Sequence, residues 1–538
     1  MRIAYPIAAS VAAGAVLLGV TSAQADSGFA YMEPVASGVS LKVLATAGDS
    51  LNGYTVMGVP DGMGILQDGR NLTLLMNHEL SAANAVAAAA KRAGGAASGS
   101  TVSAFNYDTA SATIVAGTEL LKSVTWYDYS TGQTSTKPVA PAGADAKDSF
   151  GTPNHTAALN RFCSSYTAQP GTLSYSSVDA NGKSTTVGYT GPAYFTGEEG
   201  GDESRGFVSD NAGNLIQLPR LGLAAWENFI VAPPKGTTTV VMGNEDGDAT
   251  DSQLFMYAGT KTTAGSWVDK AGLTNGNLYV MAINGYNDDN LFRAAVGKGK
   301  AVPVSFNQID WTKNGKIQNQ QARAAGSVLA RVEDGAFDPK NPNDYYFLTT
   351  ESDKDAKATS ANPLYPGAAR DGGALWRVRF ADVNRPTAGA TIEMLLDGSE
   401  SIMMNKPDNM AIDAKGNLLI QEDPGNNDHV ARIVAYRISD GKVGTVARFK
   451  DLYFAKGGAQ LMTRDEESSG VVDATPFLAV DGKDAKSYFF FNAQVHAPTA
   501  VARPDIAANP ASAQALKDAI EGGQIYLMTI DDWSKVYG

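Results

Sequence analysis

The sequence predicts an all-β protein, organised as a β-propeller-like single large domain with a few short helical and loop insertions. Three observations predict it: short runs rich in Val, Ile, Tyr, Phe and Thr, turns of Gly, Asn or Asp that close them, and hairpins that recur without a strict period. In one hairpin, residues 410–420, Lys415-Gly416-Asn417 is the predicted turn. Separate β-sandwich domains are the alternative architecture, which no obvious linker favours.

The predicted strands lie between residues 237 and 530. They lie at residues 237–242, 254–257, 277–283, 345–350, 374–380, 391–396, 417–421, 431–438, 488–492 and 524–530. We expect the last of them to pair with an early strand, because that closes a ring and hides two sheet edges. Helix-favouring segments are few, and they lie at residues 81–93 and 511–520.

Composition excludes several classes of protein. The chain has 538 residues, and its 43% hydrophobic content is enough for a large core, which excludes global disorder. A single cysteine excludes an intrachain disulfide framework. The net charge of −13 argues against a nucleic-acid partner, because binding to phosphates requires clustered Lys and Arg.

The N-terminal segment has the features of a signal peptide. Met1-Arg2-Ile3 is a short cationic start, an apolar stretch follows at residues 8–20, and Ala23-Gln24-Ala25 is a small-x-small cleavage pattern. We therefore divide the chain into a signal peptide at 1–25 and one domain at 26–538. Without an Arg-Arg pair, the general secretory route is favoured, to the periplasm or the extracellular space. No later stretch reaches the ~18 apolar residues of a membrane helix, so we expect no stable membrane insertion, and we expect a monomer.

Acidic residues recur as short clusters beside apolar runs, which places them at the ends of strands. The clusters are Asn77-His78-Glu79, Gly197-Glu198-Glu199-Gly200, Asn244-Glu245-Asp246-Gly247, Arg331-Val332-Glu333-Asp334-Gly335, Asp408-Asn409 and Gln421-Glu422-Asp423-Pro424. Several strand ends converge on one central site in a propeller, and converging carboxylates require cations to neutralise them. Oxygen ligands favour calcium or another hard cation. For any single cluster a solvated acidic turn is the favoured interpretation, whereas six clusters at comparable positions favour metal binding.

Two further residues bear on chemistry. Cys163 has two interpretations. It is either a small buried apolar residue or a thiolate, and a thiolate is a soft ligand that adds iron or zinc to the metals considered. Arg331 stands two residues before Glu333, so an extended backbone would place the two side chains on one face. An Arg beside metal ions is a recurring arrangement for gripping a phosphoryl group; an ordinary Arg–Glu ion pair is equally consistent with the spacing.

Taken in order, these motifs resemble the secreted PhoX-type alkaline phosphatases, and the resemblance runs over most of the chain. The residues that carry it are Asp61-Gly62-Met63-Gly64, Leu75 to Glu79, Arg161-Phe162-Cys163, Thr196 to Glu199, Arg331 to Gly335, Asp338-Pro339, Asp408-Asn409-Met410, Leu419 to Pro424, Asp465 to Gly470 and Val495-His496. Two departures mark a divergent relative. The signal segment lacks the twin-Arg motif, and the link between Cys163 and Glu198 is long and rich in Ser and Thr.

The resemblance implies a propeller-like fold that holds a mixed iron–calcium cluster. It implies that Cys163 ligates iron and that Arg331 holds the substrate phosphate. The matching positions for cations are Glu79, Glu198, Glu199, Glu245, Glu333, Asp408, Asn409 and Glu422. Glu422 and its neighbour Asp423 are equally able to shape a turn.

Two functions follow as hypotheses. The first is a phosphoric monoester hydrolase that acts on small phosphate esters outside the cytoplasm. The alternative is a non-catalytic, calcium-stabilised extracellular propeller that binds a partner or a glycan, which needs neither Cys163 nor Arg331. A phosphodiesterase or other esterase at the same site is not separated from the first hypothesis by the sequence.

Overall fold

The computed structural model describes residues 29–86, 91–210, 212–248, 251–350, 373–425, 428–479 and 485–538. Strands dominate the described residues, and the helices are short, so the predicted all-β class is confirmed. The predicted signal peptide lies outside the described residues. No helix within the described ranges is both long and apolar enough to span a membrane.

Most of the strands form antiparallel units in chain order; an exception is the parallel pairing of the strand Ser123–Asp128 with the strand Asn214–Gln217. Before the first unit come β1 (Met32–Pro34), β2 (Val39–Thr46), β3 (Ser50–Leu51) and β4 (Tyr54–Thr55). The first half of the ring contains β5 (Pro60–Asp68), β6 (Asn71–His78), β7 (Thr101–Asp108), β8 (Thr113–Glu119), β9 (Ser123–Asp128), β10 (Gln133–Ser135), β11 (Phe162–Ala168), β12 (Ser174–Val178), β13 (Ser184–Gly188), β14 (Ala193–Glu198), β15 (Gly206–Ser209), β16 (Asn214–Gln217), β17 (Trp226–Val231), β18 (Thr238–Glu245), β19 (Leu254–Thr260) and β20 (Asn277–Ile283). The second half contains β21 (Val302–Ile309), β22 (Val332–Phe337), β23 (Asp344–Thr349), β24 (Ala374–Phe380), β25 (Ala390–Leu396), β26 (Pro407–Ile412), β27 (Asn417–Glu422), β28 (Arg432–Arg437), β29 (Val443–Phe449), β30 (Glu466–Asp473), β31 (Ser487–Pro498) and β32 (Glu521–Ile530).

Short helices lie in the connections between these strands. The α-helices are α1 (Trp267–Lys270), α2 (Asp289–Ala295), α3 (Gly315–Ala325), α4 (Asp451–Phe454), α5 (Thr475–Leu478), α6 (Thr499–Ala502), α7 (Ala513–Ala519) and α8 (Ser534–Tyr537), with 3-10 turns at Pro219–Leu221, Pro386–Ala388 and Pro510–Ser512. The helix predicted at 511–520 is present as α7. The one predicted at 81–93 is not: residues 81–86 form turns and a bridge, and residues 87–90 lie outside the described ranges.

The strands assemble into six blades, and the first strand of each blade faces the centre. These inner strands are β5, β11, β17, β22, β26 and β30. Each of them is an edge strand of its sheet. Every inner strand contacts the inner strands of the two neighbouring blades, and β30 contacts β5, so they form a closed ring. Strand β21 pairs with both β20 and β25, which joins the outer edges of blades 3 and 4 into one nine-stranded sheet.

The two ends of the chain close this ring. Strand β1 pairs with β29 at the outer edge of blade 5, and β2 pairs with β32 at the outer edge of blade 6. The sequence prediction that the strand at 524–530 pairs with an early strand is confirmed. The β-propeller-like architecture is confirmed with it.

Burial explains why some strands were easier to predict than others. Outer strands such as β25 alternate buried and half-buried residues, as a half-covered sheet requires. Inner strands such as β17 are buried at every residue, because neighbouring blades cover both of their faces. Polar side chains inside these inner strands therefore point either into a blade seam or into the central channel.

Candidate metal centre and active site

A ring of potential ligands lines the channel at one end of the inner strands. The second residue of each inner strand contributes one side chain, and five of the six are acidic. They are Asp61, Cys163, Glu227, Glu333, Asp408 and Glu467, which we call the lower ring. All six residues are buried. The fold therefore brings together side chains that are spread over some 400 positions of sequence.

A break in strand pairing follows the start of most inner strands. In the first five blades the first residue pairs with the end of the next strand, and the register then shifts directly afterwards. Such bulges re-aim side chains and are frequent beside active sites. In blade 6 the shift comes later, between Ser469 and Val472. We attribute the inward orientation of the lower ring in those five blades to these bulges.

A second set of side chains lies one level closer to the surface. In four blades the residue that follows the second strand is acidic, and in blade 6 a histidine near the end of β31 takes this place. They are Glu79, Glu199, Asp246, Asp423 and His496, which we call the upper ring. The equivalent position of blade 4 is Thr350, which is buried and neutral and donates its hydroxyl to the backbone oxygen of Pro407.

The two rings form groups that are compact enough to hold ions. Four triads have ligand atoms that all lie within 4.8 Å of one another: Asp61, Glu79 and Cys163; Glu79, Glu467 and His496; Cys163, Glu199 and Glu227; and Glu227, Glu333 and Asp408. Glu79, Cys163 and Glu227 each belong to two triads. Shared members indicate one connected centre rather than four isolated sites.

The centre holds more buried carboxyl groups than the protein's own cationic side chains can keep ionised. Burial, reinforced by the neighbouring acids, raises the pKa of Asp61, Glu227, Glu333 and Glu467 well above the usual carboxyl range. Two like charges about 4 Å apart repel by about 4 kcal/mol at an effective dielectric constant of about 20. Cations in the centre would remove this repulsion and let the carboxyl groups ionise.

Unsatisfied ligand atoms point to the same conclusion. Asp61 Oδ1, Glu333 Oε2 and Glu467 Oε1 are buried and have no hydrogen-bond partner among the described residues. Buried polar atoms in proteins are nearly always paired, so each such oxygen requires an explanation. A site of carboxylates with one sulfur donor fits hard cations together with a softer metal. The residues present therefore fit a metal cluster.

Cys163 has an environment that suits a metal ligand. Its thiol donates a 3.2 Å hydrogen bond to Asp61 Oδ2. Burial raises the pKa of the thiol well above its ordinary value, and the charges of Asp61 and Glu227 raise it further. The thiol thus stays protonated unless a cation offsets these charges, because metals bind the thiolate form.

Arg331 lies at the edge of the centre. Its guanidinium donates to both carboxylate oxygens of Asp246, and Nη2 lies 3.3 Å from Glu333 Oε1. The side chains of Arg331 and Glu333 are in contact, as the spacing predicted, although the backbone at Arg331 is not extended. Arg331 has a φ of 57°, in the left-handed region. Such a conformation is strained in a non-glycine residue and clusters at functional sites.

The same backbone geometry recurs in other blades. The residue directly before the inner strand is also left-handed at Arg161 (φ 47°) and Lys406 (φ 45°). Arg161 Nη2 bridges Glu79 and Glu199, with a distance of 2.8 Å to Glu199 Oε2. Three cationic side chains therefore start from equivalent positions above the lower ring. Of the three, only Arg331 was predicted from the sequence to hold the substrate phosphate.

The structure brings together five of the nine residues that the sequence nominated for cations. These are Glu79, Cys163, Glu199, Glu333 and Asp408. Asn409 is buried beside them. Its amide nitrogen donates to Glu227 Oε1 at 3.2 Å, and its amide oxygen accepts from the backbone of Gly470, so we place it as a support of the ring.

The other three nominated residues lie within their blades, away from the triads. Glu198 forms a bidentate pair with Arg205, with two 2.7 Å contacts. Glu245 accepts a 2.8 Å bond from the backbone of Gln253. Glu422 is bound by His429 and Arg432; burial alone would raise its pKa, but these two partners lower it below the usual value. We therefore leave these three out of the proposed ligand set.

Sequence reasoning missed several members of the centre as ligands. They are Asp61, Glu227, Asp246, Glu467 and His496. One signal was available: Glu227 follows the run Leu221-Gly-Leu-Ala-Ala-Trp226 and precedes Phe229-Ile230. An acid embedded in an apolar run is buried and therefore needs a partner or a metal.

The adjacent residues Glu198 and Glu199 give a direct test of this division. Glu198→Ala leaves Arg205 buried without its partner, so we expect a loss of about 3–5 kcal/mol in the free energy of unfolding. Bound metal per folded molecule should stay unchanged. Glu199→Ala should instead lower the metal content and change stability less. Chemical denaturation and elemental analysis of both variants measure this, and the reverse pattern would contradict our assignment.

Comparison with known proteins supports the predicted resemblance. The family described as alkaline phosphatase PhoX matches residues 211–473. The solved structure of Pseudomonas fluorescens PhoX in complex with vanadate, a transition state analogue, is similar at a TM-score of 0.61. It is 12% identical, over 94% of this chain and 97% of that chain. The resemblance to the PhoX-type phosphatases is thereby confirmed, and at this identity the structural likeness shows the fold alone.

Other solved structures are less similar. A luciferin-regenerating enzyme covers 68% of this chain and 87% of its own at 10% identity and a TM-score of 0.25. A structure from the GH130 family of mannoside phosphorylases covers 78% of this chain and 94% of its own at 12% identity and a TM-score of 0.27. Scores this low support no conclusion about this chain. No curated protein matches the sequence.

Proposed function

We propose that this chain, which resembles the PhoX-type alkaline phosphatases in residues 211–473 and in fold, is an exported metal-dependent phosphatase that hydrolyses phosphate monoesters. The observation that carries the proposal is the convergence of six inner strands on one centre. That centre combines buried carboxylates, one thiol and two guanidinium groups. Carboxylates and a thiol bind cations, whereas guanidinium groups bind an anionic substrate.

We assign iron and calcium to this centre. Cys163 is the one sulfur donor in the triads, so the triad of Cys163, Glu199 and Glu227 is the best candidate for iron. The triad of Glu227, Glu333 and Asp408 offers oxygen atoms alone, which suits calcium. Bound cations of this kind supply neutralisation of the carboxylates and polarisation of a phosphoryl group.

The chain itself supplies the groups that would hold the phosphate. Arg331 has side-chain exposure of 24%, and Arg161 of 36%, so both reach the mouth of a centre whose lower ring is buried. Guanidinium groups present five N–H donors in a planar fork that matches phosphate oxygens. They would orient the ester and stabilise charge that develops on its equatorial oxygens.

Export follows from the sequence features of residues 1–25. A signal peptide of that length and the acidic character of the chain fit a protein that acts in the periplasm or outside the cell. N-terminal sequencing of the secreted protein would test this, with Asp26 as the expected first residue.

Arg331 gives the main functional test. We expect Arg331→Ala to lower kcat/KM for a generic aryl phosphate by about 100- to 1,000-fold, the usual effect of losing one donor to a developing oxyanion. Arg331→Lys should recover part of the rate, because lysine keeps the charge and loses the bidentate geometry. Arg385→Ala is the matched control, since Arg385 is 73% exposed and pairs with Asp382 on the surface.

The outcomes separate the competing functions. Full activity in Arg331→Ala would remove the role that we assign to this residue. A metal-loaded protein that hydrolyses no phosphate ester would contradict the proposed function, and calcium without iron would then favour the non-catalytic binding propeller. Faster hydrolysis of a diester than of the matching monoester would make the protein a phosphodiesterase.

A further inference from the structure

A cavity of about 690 Å³ lies beside the metal centre. Small apolar residues form much of its lining, among them Ala82, Ala96 and Ala158, and Phe150 and Pro153 stand at its wall. Its volume falls within the ~300–1,000 Å³ that is usual for small-molecule sites. Its lining contrasts with the carboxylates of the two rings, so it suits a different part of a ligand.

The cavity is contiguous with the centre through the chain and through hydrogen bonds. Ser81, on the cavity wall, comes two residues after Glu79 of the upper ring. The backbone of Ala82 donates a 2.9 Å bond to Asn160 Oδ1, and Asn160 directly precedes Arg161. These links place the cavity next to the segments that carry Glu79 and Arg161.

Phe150 marks the boundary between the two regions. Its ring centroid lies 5.9 Å from Cζ of Arg161, within the range of a cation–π contact. Its exposed fraction, 76%, exceeds that of every other exposed large hydrophobic residue in the described ranges. Covering an aromatic ring that is exposed to water at the mouth of an active site is favourable, because it removes apolar surface from water.

The turn that carries Phe150 is rigidly held. Asp148 Oδ1 accepts hydrogen bonds from the backbone of Phe150 at 2.9 Å and of Thr152 at 2.7 Å. The backbone amides of Asp148 and Gly151 complete the turn by donating to Thr152 and Asp148. Little conformational entropy is therefore lost when a ligand packs on the ring, which is a general advantage of a preorganised site.

We infer that this cavity binds the organic part of the substrate, and that it selects phosphate monoesters with a flat apolar group, such as aryl esters, over small polar ones. The inference rests on the proposed function and deepens it. Arg161 stands where the phosphate and the organic group of one ester would join. Phe150 is then a specificity-determining residue, which stacks on the ligand.

Hydrolysis of paired substrates tests the inference. We expect Phe150→Ala to lower kcat/KM for phenyl phosphate by about tenfold and for glycerol 3-phosphate by less than about twofold, because a stacked aromatic pair is lost in the first case alone. Phe150→Trp should keep the preference. Val178→Ala is the matched control: Val178 is 68% exposed, and it lies on the separate hairpin β12–β13. Equal losses on both esters, or no loss on either, would overturn the inference.

Binding separates this inference from the phosphatase proposal. The wild-type protein should bind phenylphosphonate more tightly than methylphosphonate in calorimetry, and Phe150→Ala should abolish the difference. If no ester is hydrolysed and this preference is nevertheless present, the proposed function fails and the cavity assignment stands. Equal affinities of the wild type for the two phosphonates would overturn the cavity assignment.

Discussion

Cys163→Ala is expected to remove iron from the purified protein and to lower phosphate release by at least ~100-fold. Even residues outside the ligand shell typically change metal affinity or activity by about 10–100-fold, so the loss of the soft ligand itself should cost no less. Cys163 belongs to two triads, which include four carboxylates, and none of those can replace a sulfur donor. Calcium content should fall far less than iron content.

The thermal stability of the same variants controls for damage to the fold. Alanine lacks a single heavy atom of cysteine, so Cys163→Ala should leave the apolar packing of β11 nearly intact. Cys163→Ser keeps the side-chain volume and exchanges sulfur for a hard oxygen, so it should also lose iron. An iron content equal to that of the wild type in Cys163→Ala would contradict the assignment.

Removal of the metals is expected to make stability depend strongly on pH. The five lower-ring carboxyl groups have folded-state pKa values raised by burial and by one another, so without metal the folded state binds more protons than the unfolded state above pH ~4. Stability must then fall as the pH rises from the unfolded pKa values through the folded ones. For each group, one pKa unit of difference between the folded and unfolded states changes the free energy of unfolding by about 1.4 kcal/mol. The stripped protein should unfold more readily at pH 8 than at pH 5, and the metal-loaded protein should show much less of this trend.

Strand β5 offers a matched pair for this experiment. Asp61, near its start, is fully buried in the centre, whereas Asp68, at its end, is exposed. Asp61→Asn should stabilise the stripped protein at pH 8 and weaken metal binding, because it removes one buried charge. Asp68→Asn should change neither. Denaturant titrations at the two pH values measure the effect, and a stripped protein that is more stable at pH 8 would show that the acids are not mutually repelling.

The sequence predicted the fold class well, because outer strands carry their own signals. The predicted strand 391–396 lies in β25, where buried and half-buried residues alternate, and the turn at Lys415-Gly416-Asn417 needs local chemistry alone. The number of blades was not predictable, since the hairpins lack a fixed period. Pairing of an early strand with the last one was predictable, because an open ring would expose two strand edges. In the structure, β1 and β2 complete blades 5 and 6.

The candidate site was predictable to the level of clusters but not of single residues. In Glu198-Glu199, Glu245-Asp246 and Glu422-Asp423, the first acid is held inside its blade and the second reaches the centre. Successive side chains on a strand point to opposite sides, so an error of one residue reverses the role. That choice depends on where each strand ends, which sequence patterns leave undecided by a residue or two.

Lower-ring residues were harder still, because they depend on contacts distant in sequence. Asp61 and Glu467 are more than 400 residues apart, yet they line the same channel. The bulge that turns Glu227 inward shows in the pairing of β17 with β18 and not in the residue types. The role of Arg161 was not predictable from sequence, because its bridge joins Glu79 of blade 1 to Glu199 of blade 2.

The most direct test of the central claim is the rate of phosphate release from a monoester by chelator-stripped protein as iron and calcium are returned. We predict almost no release from the stripped protein and recovery that follows occupancy of the centre, with both metals needed for the full rate. Metal-independent release, or no release from the fully loaded protein, would contradict the claim that this acidic centre is the active site of a phosphatase.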